Sequence, residues 1–293
     1  MQLTDFDYPL DDERIAQFPL EQRDSSKLLI IRRETGKFEH RTFTDITEYL
    51  VKGDVLVLNE TRVIPVRIAG IKPTGGKAEI TLISEKGRNR WEALVKGVHE
   101  GKVLLPGDIT AHVTRPDTKV AEVAFTYAEN NADRDIRDAL HDIGAMPLPN
   151  YIKRQSGSSD LKQYQTVYAK NEGAIAAPTA GLHFTAEVLQ KLEGKGVIIR
   201  HVTLHVGYGT FRPVSVDNIA EHRMEREYYD IPEATALAVN TAINDGRRVI
   251  AVGTTVTRTL ESSASECGDR AIKPGPGTAS MFIYPGYTFK ILS

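Results

Sequence analysis

Cysteine is almost absent from this 293-residue chain: Cys267 stands alone. That excludes an intramolecular disulfide and a thiolate zinc cluster. Long apolar runs are missing as well, and no stretch approaches the ~20 residues that a membrane span needs. The first ten residues, Met1 to Leu10, hold acids and no apolar run, so no signal peptide is read there and a cytoplasmic location is expected. Excess charge is lacking too: 37 Lys and Arg face 39 Asp and Glu, a formal net charge of -2. A nucleic-acid partner would have to be held by a local basic patch, not by the overall field.

What is present reads as ordinary and globular, with 41% hydrophobic and 26% charged residues. The length suggests about two domains. Residues 1–64 mix signals: a short helix over Asp11 to Gln17, an apolar strand over Leu28 to Arg32, a helix over Asp45 to Val51, and a continuous apolar run DVLVL ending at Leu58 that suits a buried strand. Over 65–150 the texture changes to short strand candidates (VRIAGI, AEITLIS, RWEALV, AEVAFTY) separated by Gly, Pro and Asp turns, the pattern of a small inserted β-barrel. From 151 to 293 helices alternate with apolar strands. Thr185 caps a helix from Ala186, Pro232 opens another, and Val249 to Val252 is a buried strand feeding a helix over Val256 to Ala264. The loop KPGPG at Lys273 leads to an expected strand over Met281 to Tyr284. The fold class expected is α/β, a layered domain with a largely parallel sheet interrupted by the barrel.

Five stretches have the chemistry of a site. APTAGLHFT (177–185) precedes a helix start, where backbone N–H groups bind anions, and His183 can move a proton near neutral pH. A loop with a structural histidine is the equal alternative. HVTLHVGYGTFRPV (201–214) sets His201, Thr203 and His205 on one strand face. The two histidines lie roughly 13 Å apart along a strand, too far to share one metal. Gly207 and Gly209 alone are weak evidence for phosphate binding. GTTVTRTLE (253–261) sits where a buried strand meets a helix, so Thr254 and Thr255 could cap and bind a carboxylate, while Arg258 and Glu261 could simply pair. In NETRVIPVR (59–67), Asn59, Arg62 and Arg67 could bind anions or remain solvated. Between Tyr151 and Lys170, the cations Lys153, Arg154, Lys162 and Lys170 face one acid, Asp160, with Tyr151, Tyr164 and Tyr168 interleaved. Phosphate attraction and base stacking need those residue types, and so does an ordinary solvated loop.

Taken in order, PLEQRDSSKLL (19–29), LVLNETRVIPVR (56–67), GAMPLPNYI (144–152), YQTVYA (164–169), AAPTAGLHFT (176–185), LHVGYGTFRPV (204–214), GTTVTRTLES (253–262) and MFIYPGYTFK (281–290) resemble the S-adenosylmethionine:tRNA ribosyltransferase-isomerase family of the queuosine pathway. The resemblance implies transfer and isomerisation of the ribosyl moiety of S-adenosylmethionine onto 7-aminomethyl-7-deazaguanine at the tRNA wobble position. Epoxyqueuosine-tRNA is formed, and adenine and methionine are released. It implies S-adenosylmethionine as co-substrate, no prosthetic group and no metal, tRNA of the GUN anticodon class as partner, and a monomer. Within the motifs, His183 and His205 become the candidates for proton transfer. Asn59, Arg62, Thr179, Gly181, Gly207, Gly209, Thr210, Arg212, Glu221, Thr254, Thr255, Arg258, Tyr284 and Tyr287 become candidates for substrate contact. Lys153, Arg154, Tyr164 and Tyr168 become candidates for RNA contact.

Three departures accompany the resemblance. Glu225 in EHRMERE (221–227) stands where the family usually has a histidine, LVKGVHEGK (94–102) is shorter and less basic than usual, and the family pattern continues about fifty residues past Ser293. The alternative expectation is therefore a shortened, non-catalytic tRNA-binding relative. An ordinary methyltransferase is disfavoured, because no Gly-rich loop follows the first strand.

Overall fold

The computed structural model describes residues 1–116, 120–127, 134–207, 209, 213–268 and 270–293. In chain order the elements begin with β1 (Lys27–Ile31), β2 (Phe38–Thr42), α1 (Ile46–Tyr49), β3 (Val55–Asn59) and β4 (Thr61–Val63). There follow β5 (Arg67–Ile71), β6 (Lys77–Gly87), β7 (Arg90–Lys96), β8 (Gly101–Leu105), β9 (Ile109–Thr114), β10 (Ala121–Tyr127), α2 (Ile136–Ile143), β11 (Gly144–Ala145) and α3 (Asp160–Gln163). The chain continues through β12 (Asn171–Ala174), α4 (Ala186–Gly194), β13 (Ile198–Leu204), β14 (Glu227–Ile231), α5 (Glu233–Asn244), β15 (Val249–Ala251), α6 (Gly253–Cys267) and β16 (Gly275–Ala279). Two compact units result: residues 1–62, 165–171 and 177–293 form one, and residues 63–164 and 172–176 the other.

The first unit is built on a five-stranded sheet in the order β15-β3-β13-β14-β16. β3 lies between two parallel neighbours that occupy its edges, and α4, α5 and α6 pack against it, so every residue of VLVLN is buried. Leu56 and Leu58 pack with Phe184, Val188 and Leu192 of the α4 region in one apolar cluster. Thr185 caps α4, its Oγ1 accepting the Val188 N–H at 3.2 Å. The expectation of a largely parallel sheet needs correcting at one edge, where β14 and β16 run antiparallel. The expected strand at Met281 to Tyr284 does not form; the glycine- and proline-rich stretch Gly275–Ala279 is the strand instead. It can pair there because a Cβ on Gly277 would lie 2.3 Å from Cζ of Tyr229, a gap only glycine fits. The helix expected over Asp11 to Gln17 is reduced to one 3-10 turn, Asp12–Arg14.

The second unit is a closed antiparallel barrel. Six strands run in the order β5-β6-β7-β10-β9-β8, and β8 pairs back onto β5 at Leu104 and Ile71. Alternation makes its core: buried residues recur at every second position over 78–82 of β6, 109–113 of β9 and 121–125 of β10, among them Ile80, Leu82, Ala111, Val123 and Phe125. At the closing seam a Cβ on Gly70 would meet Cγ1 of Val103 at 2.5 Å. This unit also reaches beyond residue 150, since the 151–164 stretch folds as part of it. Buried Asp160 fastens that stretch, gripping Arg154 through two hydrogen bonds of 2.7 and 2.8 Å and the Gly157 N–H at 2.7 Å.

Candidate active site

The carboxyl ends of β3, β13 and β15 point the same way, because these strands are parallel. Ligands of open α/β sheets favour such ends. Three of the motif stretches arrive there. Asn59 closes β3, His205 follows β13, and Gly253 to Thr255 open α6 directly after β15.

Asn59 ties these ends together. Its Nδ2 donates to the Leu204 carbonyl at 2.9 Å and to Thr255 Oγ1 at 3.3 Å. Its Oδ1 accepts the N–H of Thr61 at 3.1 Å and of Leu204 at 3.0 Å. A buried asparagine with both donors and both lone pairs engaged has nothing left for a substrate. Asn59 is the fastener of the strand ends.

His205 is half-buried beside it, with Nδ1 2.8 Å from the hydroxyl of Thr61, itself fully buried. Burial pushes the His205 imidazole below its ordinary range. His201, four residues earlier on β13, is lowered by burial too and packs 5.7 Å from the Tyr168 ring. His183 ends a 3-10 turn, Thr179–His183. Its Nδ1 meets Ser26 Oγ at 3.1 Å, and its ring lies 5.3 Å from Phe43. The turn abuts α6: a Cβ on Gly253 would sit 3.3 Å from Cβ of Ala180. Gly181 is required, since its Cβ would be 2.1 Å from the Tyr168 hydroxyl. Thr179 and Thr254 are exposed.

Arg258 departs from the expectation of a carboxylate or ribose clamp. Buried, it forms an ion pair with buried Glu227 and donates to the carbonyls of Met281 at 3.2 Å and Ala279 at 3.1 Å. Glu227 also accepts the Gly207 N–H at 3.1 Å, so this pair braces the glycine loop after β13. Nor does Arg258 pair with Glu261. That fully buried carboxylate instead accepts from the Tyr287 hydroxyl and from the N–H groups of Lys290, Ile291 and Leu292 at 2.9 to 3.2 Å. Tyr287 therefore anchors the last segment; burial and Glu261 push its phenol up to about 12. Gly209 lies against Glu225, whose Cβ would be 3.0 Å from a Cβ added there. Glu221 and Tyr284 are exposed, Glu221 accepting from Asn218 Nδ2 at 3.3 Å. Arg62 is exposed on β4. Thr210 and Arg212 lie outside the described residues.

The expected RNA contacts separate. Lys153 is exposed, but Arg154 is committed to Asp160 and Tyr164 is buried. Tyr168 is packed between His201 and Gly181 in the other unit, and burial raises its phenol pKa. No row of open ring faces results. A cavity of about 370 Å³ in the barrel unit, between Ile64, Trp91, Arg137 and His141, is lined by none of the expected site residues. Sequence reasoning missed Ser26, Thr61 and Glu227, although Ser26 and Thr61 fall inside the DSS and NETR strings already singled out.

The family model for queuosine biosynthesis proteins matches residues 3–293. The chain belongs to this family. An S-adenosylmethionine:tRNA ribosyltransferase-isomerase from Geotalea uraniireducens is 47% identical over 300 residues, covering 100% of this chain and 85% of the relative. The enzyme of the same name from Desulforamulus reducens is 45% identical over 302 residues with the same coverage. A crystal structure of S-adenosylmethionine tRNA ribosyltransferase from Thermotoga maritima is 31% identical, with a TM-score of 0.47, over 98% of this chain and 81% of that one. No described helix is long and apolar enough to cross a membrane.

Proposed function

We propose that this chain transfers and isomerises the ribosyl moiety of S-adenosylmethionine onto 7-aminomethyl-7-deazaguanine at the wobble position of GUN-anticodon tRNA, releasing adenine and methionine. Membership of the family over nearly the whole chain supports the reaction. The observation that carries the site is the meeting of motif segments at the ends of β3, β13 and β15, fastened by Asn59. The sulfonium makes the adjacent 5′ carbon acidic, and adenine leaves better when protonated, so the reaction needs groups that move protons. His183 and His205 serve as those groups. Exposed Thr254, on the uncapped first turn of α6, and Thr179 bind polar groups of S-adenosylmethionine. Gly207 and Gly209 admit the nucleoside closely, and Thr210 and Arg212 belong to the substrate-binding set. Lys153 contributes to tRNA binding, S-adenosylmethionine is a co-substrate, and the protein works as a cytoplasmic monomer.

The test is chromatography of the products when the 293-residue chain meets S-adenosylmethionine and tRNA carrying the aminomethyl base. Adenine that depends on that base is the expected result. S-adenosylhomocysteine in its place would mean methyl transfer, and neither product would leave a tRNA-binding relative without this activity.

A further inference from the structure

Two hydroxyls decide where each candidate histidine carries its proton. Ser26 Oγ lies 3.0 Å from the Arg23 carbonyl and 3.1 Å from His183 Nδ1. A hydroxyl has one proton, and a carbonyl can only accept. Ser26 therefore donates to Arg23, and His183 Nδ1 must donate to Ser26. That leaves a lone pair on Nε2, for which the described residues offer no hydrogen-bond partner. Phe43, at 5.3 Å and a 37° interplanar angle, holds the ring against turning over.

Thr61 stands the other way. Its Oγ1 is 2.8 Å from His205 Nδ1, while the Asn171 carbonyl lies 3.5 Å away. The latter exceeds the roughly 2.5–3.0 Å of a good O–H···O bond. The proton of Thr61 thus points at Nδ1, which accepts it, and the neutral His205 ring carries its own proton on Nε2. Thr61 cannot drift from this arrangement: it is fully buried, and Asn59 holds its N–H at 3.1 Å.

We infer that His183 and His205 are held in opposite neutral tautomers, set by Ser26 and Thr61 as positioning residues, with His183 Nε2 the proton acceptor and His205 Nε2–H a hydrogen-bond donor. The roles, though not the tautomers, rest on the proposed ribosyl transfer. In that reaction the C5′–H bond breaks, the proton passes to His183 Nε2, and the electron pair stays on C5′ beside the positive sulfur. His183 becomes an imidazolium, still bonded through Nδ1 to Ser26. Adenine later leaves with the glycosidic electron pair and needs one proton, the number His183 has taken up. His205 Nε2–H supports the charge that develops on the departing base.

The experiment is ¹⁵N NMR of the imidazole-labelled 293-residue chain at about pH 8, above the ordinary titration of histidine. The signals among the 8 histidines are assigned by their loss in His183→Gln and His205→Gln. The expected result is a protonated Nδ1 in His183 and a protonated Nε2 in His205. The same tautomer in both, or the reverse pair, overturns the inference. Ser26→Ala and Thr61→Val should release the respective ring from its tautomer, and Ser26→Thr and Thr61→Ser should restore it. In the adenine assay Thr61→Val should lower kcat on the order of 10-fold, less than loss of an acid–base group itself, with KM unchanged. A variant that changes only thermal stability contradicts the positioning role. Adenine release without opposite tautomers overturns this inference and leaves the proposed function standing; opposite tautomers without adenine release do the reverse.

Discussion

The barrel and the α/β unit use their interiors differently. Among the described residues, every buried charged, amide or aliphatic hydroxyl side chain except Asp160 lies in the α/β unit. The barrel interior is alternating aliphatic and aromatic residues, stabilised by apolar burial, which is non-directional. The α/β interior adds Asn59, Thr61, Glu227, Arg258 and Glu261, whose hydrogen bonds demand fixed distances and angles. In a low-dielectric interior such networks are costly when incomplete and rigid when satisfied. Rigidity of that kind is what a site needs to hold imidazoles in one tautomer, whereas the barrel needs only volume and pattern.

The largest effect that sharpens this contrast is expected at the ion pair. Glu227→Ala leaves Arg258 buried without its carboxylate partner and frees the Gly207 N–H, and should cost about 3–5 kcal/mol in urea denaturation. Ile80→Ala in the barrel should cost about 2–5 kcal/mol by cavity formation. Adenine release per folded molecule should stay near the wild-type value in Ile80→Ala and fall in Glu227→Ala. Equal losses in both would erase the distinction between the units.

A smaller effect is expected from pH. Burial depresses the His205 pKa in the folded state below the unfolded value of about 6.5. The contribution to stability is fully present above the unfolded value and is lost as pH falls through the folded one, because the unfolded chain then binds a proton the folded ring resists. His201 acts in the same direction. His205→Gln should flatten the fall in Tm as pH drops from about 7 to 5, measured by circular dichroism melts. Parallel curves for the variant and the parent would contradict the assignment. The smallest effect is expected at the barrel surface: Arg67 and Glu79 pair at 2.6 Å while 31% and 29% exposed, so Arg67→Ala should change stability by less than about 1 kcal/mol.

The same contrast explains what could be read from sequence. The barrel was legible because period-two alternation and turn residues are local signals, as in β6 and β10. Helix α4 was legible from Thr185 and the apolar spacing behind it. β14 and β16 were not, because their pairing depends on Gly277 passing under Tyr229, a fact of contact between distant segments. The site shows the same limit. His183 and His205 stood out inside their motifs, yet Ser26 is 157 positions from His183 and Thr61 is 144 from His205. Arg258 looked like an anion clamp until Glu227 and two carbonyls occupied its guanidinium. Arg154 and Tyr164 looked like an RNA surface until Asp160 and burial claimed them. Residue type announces what a side chain can do, and only its partners decide whether it is free to do it.

The most direct test of the account is single-turnover adenine release by His183→Gln, with the fold checked by circular dichroism. If His183 is the proton acceptor proposed above, its loss should slow the reaction by about 10²- to 10⁴-fold while S-adenosylmethionine still binds. Near-wild-type release by a folded His183→Gln protein would contradict the claim that proton transfer is built at the ends of these strands around His183.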